Sequence, residues 1–283
     1  MNLSTTSSLP QLCVSIVLHN SPLPLLLGSL HSLQRCVKAA RGDGSLNQVT
    51  VFLVDNASDA AYRLSVQSEL ARWPQSEYFH LQYCPQAGNH GFGAGHNVAL
   101  AMVNSDFHLI LNPDVELAEN VLQSGLAAMR QHSDIALLSP RVVGGNGEQE
   151  FLCKRYPSVL VLLLRGFAPG FVRRVFQRQL AHYEMRDLCA GDVPVDVPIA
   201  SGCFMLVRSA ALRAVSGFNE DFFLYFEDFD LSLRLASQGR LVFDPAMRIV
   251  HHGGYAANKG YRHLQYFIRS GILFFNRHGW RWM

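Results

Sequence analysis

Four carboxylates, Asp221, Glu227, Asp228 and Asp230, fall within the stretch DFFLYFEDFDLSLR (221–234), among four phenylalanines. An ionised carboxylate resists burial unless it is paired, hydrogen-bonded or bound to a metal, so acids this deep in an aromatic stretch call for a chemical use. The pattern predicts a helix from Glu227 to a terminating glycine at Gly239. Phe229, Leu233 and Ala236 would form its buried stripe, with Asp230 and Arg234 as an i,i+4 ion pair. Glu227 and Asp228 then occupy the first turn, where the helix dipole favours the ionised form by about 0.3–1 kcal/mol. An ionised carboxylate walled by aromatics suits general-base work. Capping of the helix N-terminus would explain one of the two acids more readily than both.

Other groups with chemical potential follow apolar runs. Asp55 and Asn56 end the run VTVFLV in a turn-forming DNAS sequence. That sequence would serve as a helix cap, or would offer a carboxylate to a base or ribose, as acids do in other nucleotide-binding sheets. GNHGFGAGHN (88–97) spaces Gly91, Gly93 and Gly95 as G-x-G-x-G. This is not the dinucleotide spacing G-x-G-x-x-G, and it follows a third strand where the fingerprint follows the first. It still brings bare backbone to a helix start near Gly95, where phosphate could meet N–H groups. In LILNPDV, Asn112 and Asp114 flank a rigid proline. That is either an ordinary turn or a place where two oxygen donors share a hard cation with a diphosphate, since Mg²⁺ takes one or two carboxylates plus phosphates. IVHHGG puts His251 and His252 directly after a strand, where imidazole can ligate a metal or donate to a phosphate.

The elements that must position these groups alternate in type. Apolar, β-branched runs at 14–20, 49–58, 79–84, 108–114 and 135–142 read as strands. Helical patterns lie between them, at about 22–41, 59–72 and from 95 to 104, with another before 135. This order argues for an α/β fold with a largely parallel sheet, whose ligands lie beyond the carboxyl ends of the strands. Asn20, Asp55, Asn56, Asn112 and Asp114 all fall there. The region 144–195 is less regular, and order returns with SGCFMLVRS and RLVFDPAMRIVHHGG.

With 283 residues, 49% hydrophobic and only 16% charged, the chain can bury a substantial core and is not of the disordered class. A net charge of +2 gives no argument for nucleic acid as a partner. Six scattered cysteines without a C-x-x-C pair read as reduced thiols of a cytoplasmic protein. MNLSTTSSLP lacks the basic and apolar regions of an export signal. The longest apolar run, VLVLLL (159–164), is too short to span a bilayer. Two stretches, SVLVLLLRGFAPGFVRRVFQR and YFIRSGILFFNRHGWRWM, mix aromatics with arginine. Either ordinary core packing with basic edges or peripheral contact with an anionic membrane would explain them.

Taken in order, SIVLHN, VDNAS, NHGFGAGHN, LNPDV, GCFMLVRSAAL, GFNEDFFLYFEDFDLSLRL and IVHHGG resemble the family 2 glycosyltransferases. More narrowly they are similar to bacterial rhamnosyltransferase-type enzymes of polysaccharide and lipopolysaccharide assembly in the cell envelope. The likeness runs over roughly residues 12–255, and YFIRSGILFFNRHGW is also similar. It implies a GT-A fold: a single Rossmann-like domain over 1–255 with a mixed central sheet. A nucleotide-binding half would cover about 12–142 and an acceptor half about 143–255, with a helical tail over 256–283 that could touch the cytoplasmic face of the inner membrane.

Carried over by residue, the resemblance implies that Asn20, Asp55 and Asn56 hold the base and ribose. Asn89, Gly91, Phe92, Gly93 and Asn97 would form the loop over ribose and diphosphate, and Asn112 and Gly202 would also meet the nucleotide-sugar. Asp114 and His251 would bind Mg²⁺ or Mn²⁺, with His252 the alternative to His251. Asp228 would be the catalytic base, supported by Glu227. Two positions depart from the family pattern. Leu18-His19-Asn20 stands where Thr-Tyr-Asn is usual, and Asn112 replaces the first acid of D-x-D, which lowers the charge of the metal site. The implied reaction is inverting transfer from dTDP-L-rhamnose to a saccharide or lipid-linked saccharide, with UDP-sugars as rival donors. An inactive sugar-nucleotide-binding module would be expected to lack Asp114 or Asp228, and both are present.

Overall fold

The computed structural model describes residues 9–102, 104–253 and 260–283. The first ten residues of the sequence are therefore mostly outside the description, as are Val103 of the expected 95–104 helix and Gly254 of the H-H-G-G turn.

The leading half alternates as its apolar runs predict. In chain order it contains β1 (Gln11–Leu18), α1 (Leu23–Gly42), β2 (Gln48–Asp55), α2 (Ala60–Ala71), β3 (Phe79–Pro85), α3 (Phe92–Met102) and β4 (Phe107–Leu111). A short β5 (Val115–Leu117), α4 (Val121–Gln131), β6 (Ile135–Gly144) and β7 (Gln149–Glu150) follow. The irregular middle consists of short helices: α5 (Val159–Phe167), α6 (Gly170–Val175), α7 (Gln177–Tyr183) and α8 (Arg186–Cys189). Then come β8 (Val195–Asp196), β9 (Phe204–Arg208), α9 (Ser209–Ala214), α10 (Glu227–Leu235), β10 (Arg240–His251) and α11 (Tyr261–His278).

The main path of the sheet runs β3-β2-β1-β4-β9-β6-β10-β5. β3, β2, β1 and β4 are mutually parallel, which is the expected arrangement for strands linked through helices. β9 then enters antiparallel between β4 and β6, so the sheet is mixed and not largely parallel. The reversal has a local cause: a strand reached from a long irregular excursion need not cross over through a single packed helix.

Strand periodicity of two sorts side chains onto two faces. Leu12, Val14, Ile16 and Leu18 of β1 join the core that contains Leu30, Leu33 and Leu126 of α1 and α4. Cys13 and Val17 point the other way, towards Ala99 of α3. Ser15, also on that side, is buried and shared between His96 Nδ1 (2.6 Å) and His108 Nε2 (2.8 Å). Burial lowers the basicity of both rings, keeping this polar pair neutral within the sheet.

α10 has two buried faces. Leu231 and Leu235 enter the sheet core, while Phe229 and Leu233 pack against Phe274 and Phe275 of α11. The expected stripe of Phe229, Leu233 and Ala236 is therefore corrected. Ala236 is exposed, and the stripe facing the sheet lies two residues out of phase. Asp230 forms its expected bond with Arg234 (2.8 Å) and also reaches His278 Nε2 of α11 (2.8 Å).

Candidate active site

The carboxyl ends of β1, β2 and β4 converge with the start of α10 and the end of β10. Asn112 continues from β4, and its amide donates to the Cys203 carbonyl (2.9 Å) just before β9. The neighbouring Gly202 amide donates to Asp228 Oδ2 (2.9 Å), and the second oxygen of Asp228 accepts from the Phe229 amide (2.9 Å). One short backbone segment, Gly202–Cys203, thus joins the Asn-Pro-Asp turn to the acidic helix. The Cys203 thiol registers the convergence. Burial pushes it up to about 12, and the charges of Asp114, Asp228 and Glu150 add to the rise.

Glu227 and Asp228 open α10 as expected, but burial outweighs the helix dipole. Glu227 is 5% exposed and its Oε2 has no hydrogen-bond partner. Desolvation, reinforced by Asp228, pushes its carboxyl up to about 8. Asp228 is also raised by desolvation, against the pull of the Gly202 and Phe229 amides. The expectation that the dipole keeps both ionised is corrected accordingly: a dipole worth about 0.3–1 kcal/mol does not offset removal of a carboxylate from water.

The backbone entering this pair is strained. Tyr225 and Phe226 have φ of 70° and 65°, a left-handed conformation disfavoured for aromatic residues. Phe226 is held there by rings of Phe229, Phe267 and Phe274, with centroids 5.2–5.4 Å away. Such conformations persist where surrounding packing over-determines them, and they concentrate at functional sites.

At the other side of the Asn-Pro-Asp turn, β5 pairs with β10 so that Val115 lies opposite His251. His251 Nε2 sits 3.6 Å from Asp114 Oδ1, a buried oxygen with no hydrogen-bond partner. His251 Nδ1 sits 3.1 Å from Glu150 Oε2 on β7. His252 turns away, with Nε2 3.2 Å from Glu116 Oε1. An orphaned carboxylate oxygen facing an imidazole nitrogen fits a divalent cation. The Glu150 contact repeats the carboxylate–histidine arrangement that orients metal-bound imidazoles. Among the described residues no group of three or more His, Cys, Asp or Glu side chains makes a self-sufficient metal cage. Two protein ligands completed by phosphates and water is the usual mode for Mg²⁺. Glu150 has no sequence signature, being one acid in a polar loop.

The residues expected on the nucleotide side gather around the β1, β2 and β3 termini, though several are already engaged. Asp55 is fully buried, and its carboxylate accepts from the Ser58 amide (2.8 Å) and the Tyr83 hydroxyl and lies 3.3 Å from Arg63 Nε. In this structure it fastens the turn and presents no free oxygen. Asn20, at φ 52°, exchanges bonds with Asp59 through its amide (3.0 and 3.2 Å). Asn56 donates to the Gly91 carbonyl (2.7 Å) and keeps a buried Oδ1 without a partner. Asn89 accepts from the Gly91 amide (3.0 Å).

The glycine motif differs from its expected geometry. α3 starts at Phe92, three residues earlier than expected, so Phe92, Gly93 and Asn97 are helical and only Asn89 and Gly91 remain in the loop. Asn97 is spent on the Phe218 backbone and on Glu220 Oε1 (2.8–2.9 Å), tying α3 to the segment before α10. Gly91 has φ +93°, and a Cβ there would lie 2.2 Å from the Phe223 carbonyl. That carbonyl accepts from the Phe92 amide (3.1 Å), which locks the loop onto the acidic segment. Phe92 in turn lies over Gly202, 3.0 Å from where a Cβ would be. A 330 Å³ cleft bordered by Asn56, Gln86, His90 and Asn97 opens beside this loop.

A mixed sheet of this topology, with a buried acid pair at one helix start and an Asp–His pair beyond a central strand, defines a GT-A glycosyltransferase. The chain belongs to glycosyl transferase family 2, whose family model matches residues 13–215. It is 27% identical over 249 residues to the N-acetylglucosaminyl-diphospho-decaprenol L-rhamnosyltransferase of Mycobacterium tuberculosis, covering 82% of this chain and 76% of that protein. It is 27% identical over 213 residues to the rhamnosyltransferase WbbL of Escherichia coli K12, covering 70% of this chain and 75% of WbbL.

Among solved structures, the mannosyltransferase PcManGT of Pyrobaculum calidifontis, in complex with GDP-Man and Mn²⁺, superposes with a TM-score of 0.60. The identity is 17%, and the match covers 95% of this chain and 65% of that one. Staphylococcus aureus TarS 1–349 superposes with a TM-score of 0.55 at 17% identity, over 86% of this chain and 60% of that one. This chain therefore spans less than two thirds of either solved structure, and at these identities the likeness concerns the fold.

Proposed function

We propose that this glycosyltransferase is an inverting, cation-dependent enzyme that moves L-rhamnose from dTDP-L-rhamnose to a hydroxyl of a lipid-linked or cell-surface saccharide. The observation that carries this reading is the Gly202–Cys203 bridge, with Asp228 bonded to one residue and the Asn112–Asp114 turn to the other. Base and diphosphate-side groups are thereby fixed relative to each other by backbone. Similarity to two curated rhamnosyltransferases, one named for a diphospho-decaprenol-linked acceptor, supports rhamnose as the sugar and the acceptor class. UDP-sugars are the alternative donors.

In this mechanism the half over about 12–142 holds the nucleotide. Asn56 Oδ1, buried and unpartnered, accepts from the base or ribose. Asn20 and Asp55 shape the turn beneath it, and the Asn89–Gly91 loop closes over the diphosphate, with Phe92, Gly93 and Asn97 as its helical support. Asn112 and Gly202 line the path between donor and base. A divalent cation, Mg²⁺ or Mn²⁺, bound by Asp114 and His251 would supply neutralisation of the charge that develops on the leaving diphosphate.

The half over about 143–255 presents the acceptor to Asp228. Asp228 takes the proton of the acceptor hydroxyl as the oxygen forms its bond to the anomeric carbon. The bond from that carbon to the diphosphate oxygen breaks on the opposite face, and its electron pair leaves with the nucleoside diphosphate. Burial raises Asp228 towards the working pH, where a general base is most effective. Protonated Glu227 leaves Asp228 as the single negative charge of the pair. The reaction takes place in the cytoplasm, next to the inner membrane where a lipid-linked acceptor is held.

The test is donor consumption and product mass across a panel of sugar nucleotides with Mg²⁺ or Mn²⁺. Rhamnosyl transfer from dTDP-L-rhamnose is expected. Turnover of a UDP-sugar instead changes the donor, and no reaction with any sugar nucleotide overturns the reading.

A further inference from the structure

Two segments about a hundred residues apart in sequence form one surface on the side of α10 away from the sheet. The backbone after α11 docks on the start of α5. The Val159 amide donates to the Arg281 carbonyl (2.8 Å) and the Leu160 amide to the Trp282 carbonyl (3.1 Å). These bonds occupy N–H groups that a helix start leaves open. The Tyr156 hydroxyl donates to the Gly279 carbonyl (2.6 Å), and Arg281 stacks 4.3 Å over the Tyr156 ring. Trp280 stacks between Phe275 and Trp282, with centroids 5.1 and 5.3 Å away. α5 and α11 are thereby joined through the segment 279–282.

The outer side of this unit is apolar where a soluble surface would be polar. A 150 Å³ groove between α5 and α11 is lined wholly by apolar residues, among them Leu163, Phe167, Ile268, Ile272 and Trp280. Each of these five is between 43% and 58% exposed, and Phe171 and Val175 of α6 are exposed further, at 72% and 75%. Contiguous exposed apolar area of this kind marks an interaction site.

Charge identifies the occupant. Residues 155–183 and 260–283 contain nine arginines and no Asp or Glu. The rest of the chain carries fifteen Lys and Arg against twenty-two Asp and Glu. Arg155, Arg165 and Arg277 pair with Asp187, Glu184 and Asp221 from outside these stretches, and the other six arginines make up the unit's excess positive charge. Arg173, Arg174 and Arg178 of α6 and α7 and Arg262 and Arg269 of α11 are exposed. Apolar and aromatic side chains together with arginine fit the interface of an anionic bilayer, where rings sit at the headgroup level and each cation gains from the surface potential. Among the described residues no helix is long and apolar enough to cross a membrane, so the contact is one of lying on the surface.

From this we infer that the joined α5–α6 and α11 face is a docking surface for an anionic lipid bilayer. It deepens the acceptor class of the proposed function and rests on that reading for its purpose. The same α11 supplies Tyr266 and Arg269 to a 570 Å³ cleft that also contains Phe223, from the segment leading into Asp228. Docking through α11 therefore sets that cleft beside the membrane surface, within reach of a saccharide whose lipid stays in the bilayer.

The experiment is flotation of the full chain with phosphatidylcholine vesicles and with vesicles containing phosphatidylglycerol, at low and high salt. Dissociation of dTDP and rhamnosyl transfer to a lipid-free acceptor are measured on the same preparations. Binding to the anionic vesicles alone, weakened by salt, is expected. Arg173→Gln/Arg174→Gln should lower the partition coefficient by about thirtyfold, roughly fivefold per charge removed. Ile272→Asp should lower it further, with dTDP binding and lipid-free transfer unchanged in both. Equal binding to neutral vesicles, or no binding at low salt, overturns the inference. So does a concentration-dependent dimer that Ile272→Asp converts to monomer, which would make the face a contact between copies. Failure of vesicle binding with dTDP binding intact refutes the docking surface alone, whereas loss of all nucleotide binding and transfer refutes the proposed function.

Discussion

His251 stands between two carboxylates, with Nδ1 3.1 Å from Glu150 Oε2 and Nε2 3.6 Å from the unpartnered Asp114 Oδ1. Glu150 would act on the proposed cation through His251, by fixing its tautomer and ring plane. Glu150→Ala should weaken Mn²⁺ binding in the presence of dTDP by about 10–100-fold, the usual cost of losing such a partner. Titration followed by the electron paramagnetic resonance of free Mn²⁺ reads this directly. Wild-type affinity in the variant would remove Glu150 from the site.

Gly91 couples the Asn89–Gly91 loop to the acidic segment. Its φ of +93° and the 2.2 Å approach of a Cβ to the Phe223 carbonyl leave no room for alanine. Gly91→Ala should cost at least about 1–3 kcal/mol in strain, seen as a lower urea midpoint, and should weaken dTDP binding by displacing the Asn89 turn. Unchanged stability and affinity would mean that the loop does not depend on this contact.

Much of this arrangement is legible in the sequence, because apolar runs bounded by turn residues mark β1 to β4 and β6 and place their polar termini on one edge. The pattern is less informative where an element has two partners. Phe229 and Leu233 are apolar at helical spacing, but they face α11, while Leu231 and Leu235 face the sheet. The glycine spacing reads as a loop through Gly93 with a helix start near Gly95, whereas both glycines lie inside α3 and let it approach Phe218 and Val17. Glu150 and the docking of 279–282 on α5 depend on contacts between distant segments, which no local spacing encodes. The antiparallel insertion of β9 is of the same kind.

The raised carboxyl of Glu227 has a consequence for stability. Its folded value of about 8 lies above the ordinary 4.5, so the folded state binds the proton more tightly. Stability contributed by this group is present below about pH 4.5 and is lost as pH rises through about 8. Glu227→Gln removes the penalty. Its melting temperature should match the wild type near pH 4.5 and exceed it increasingly up to about pH 8, as measured by calorimetry across that range. A constant difference at all pH values would place the titration elsewhere.

Asp230 ties α10 to α11. It is fully buried, with one oxygen 2.8 Å from Arg234 Nε and the other 2.8 Å from His278 Nε2. Asp230→Ala removes the partner of both Arg234 Nε and His278 Nε2 and should cost about 3–5 kcal/mol, with the loss visible in chemical denaturation. A cost below about 1 kcal/mol, the range of exposed pairs, would show that the cluster contributes little.

The central claim is that Asp228 is the base, and Asp228→Asn tests it most directly. Asparagine keeps an oxygen for the Gly202 amide, gives up the bond from the Phe229 amide and cannot take a proton. Rhamnosyl transfer should fall by about 10²–10⁴-fold, while the dissociation constant of dTDP stays within a few-fold of wild type. A folded Asp228→Asn enzyme that transfers sugar at the wild-type rate would contradict the account.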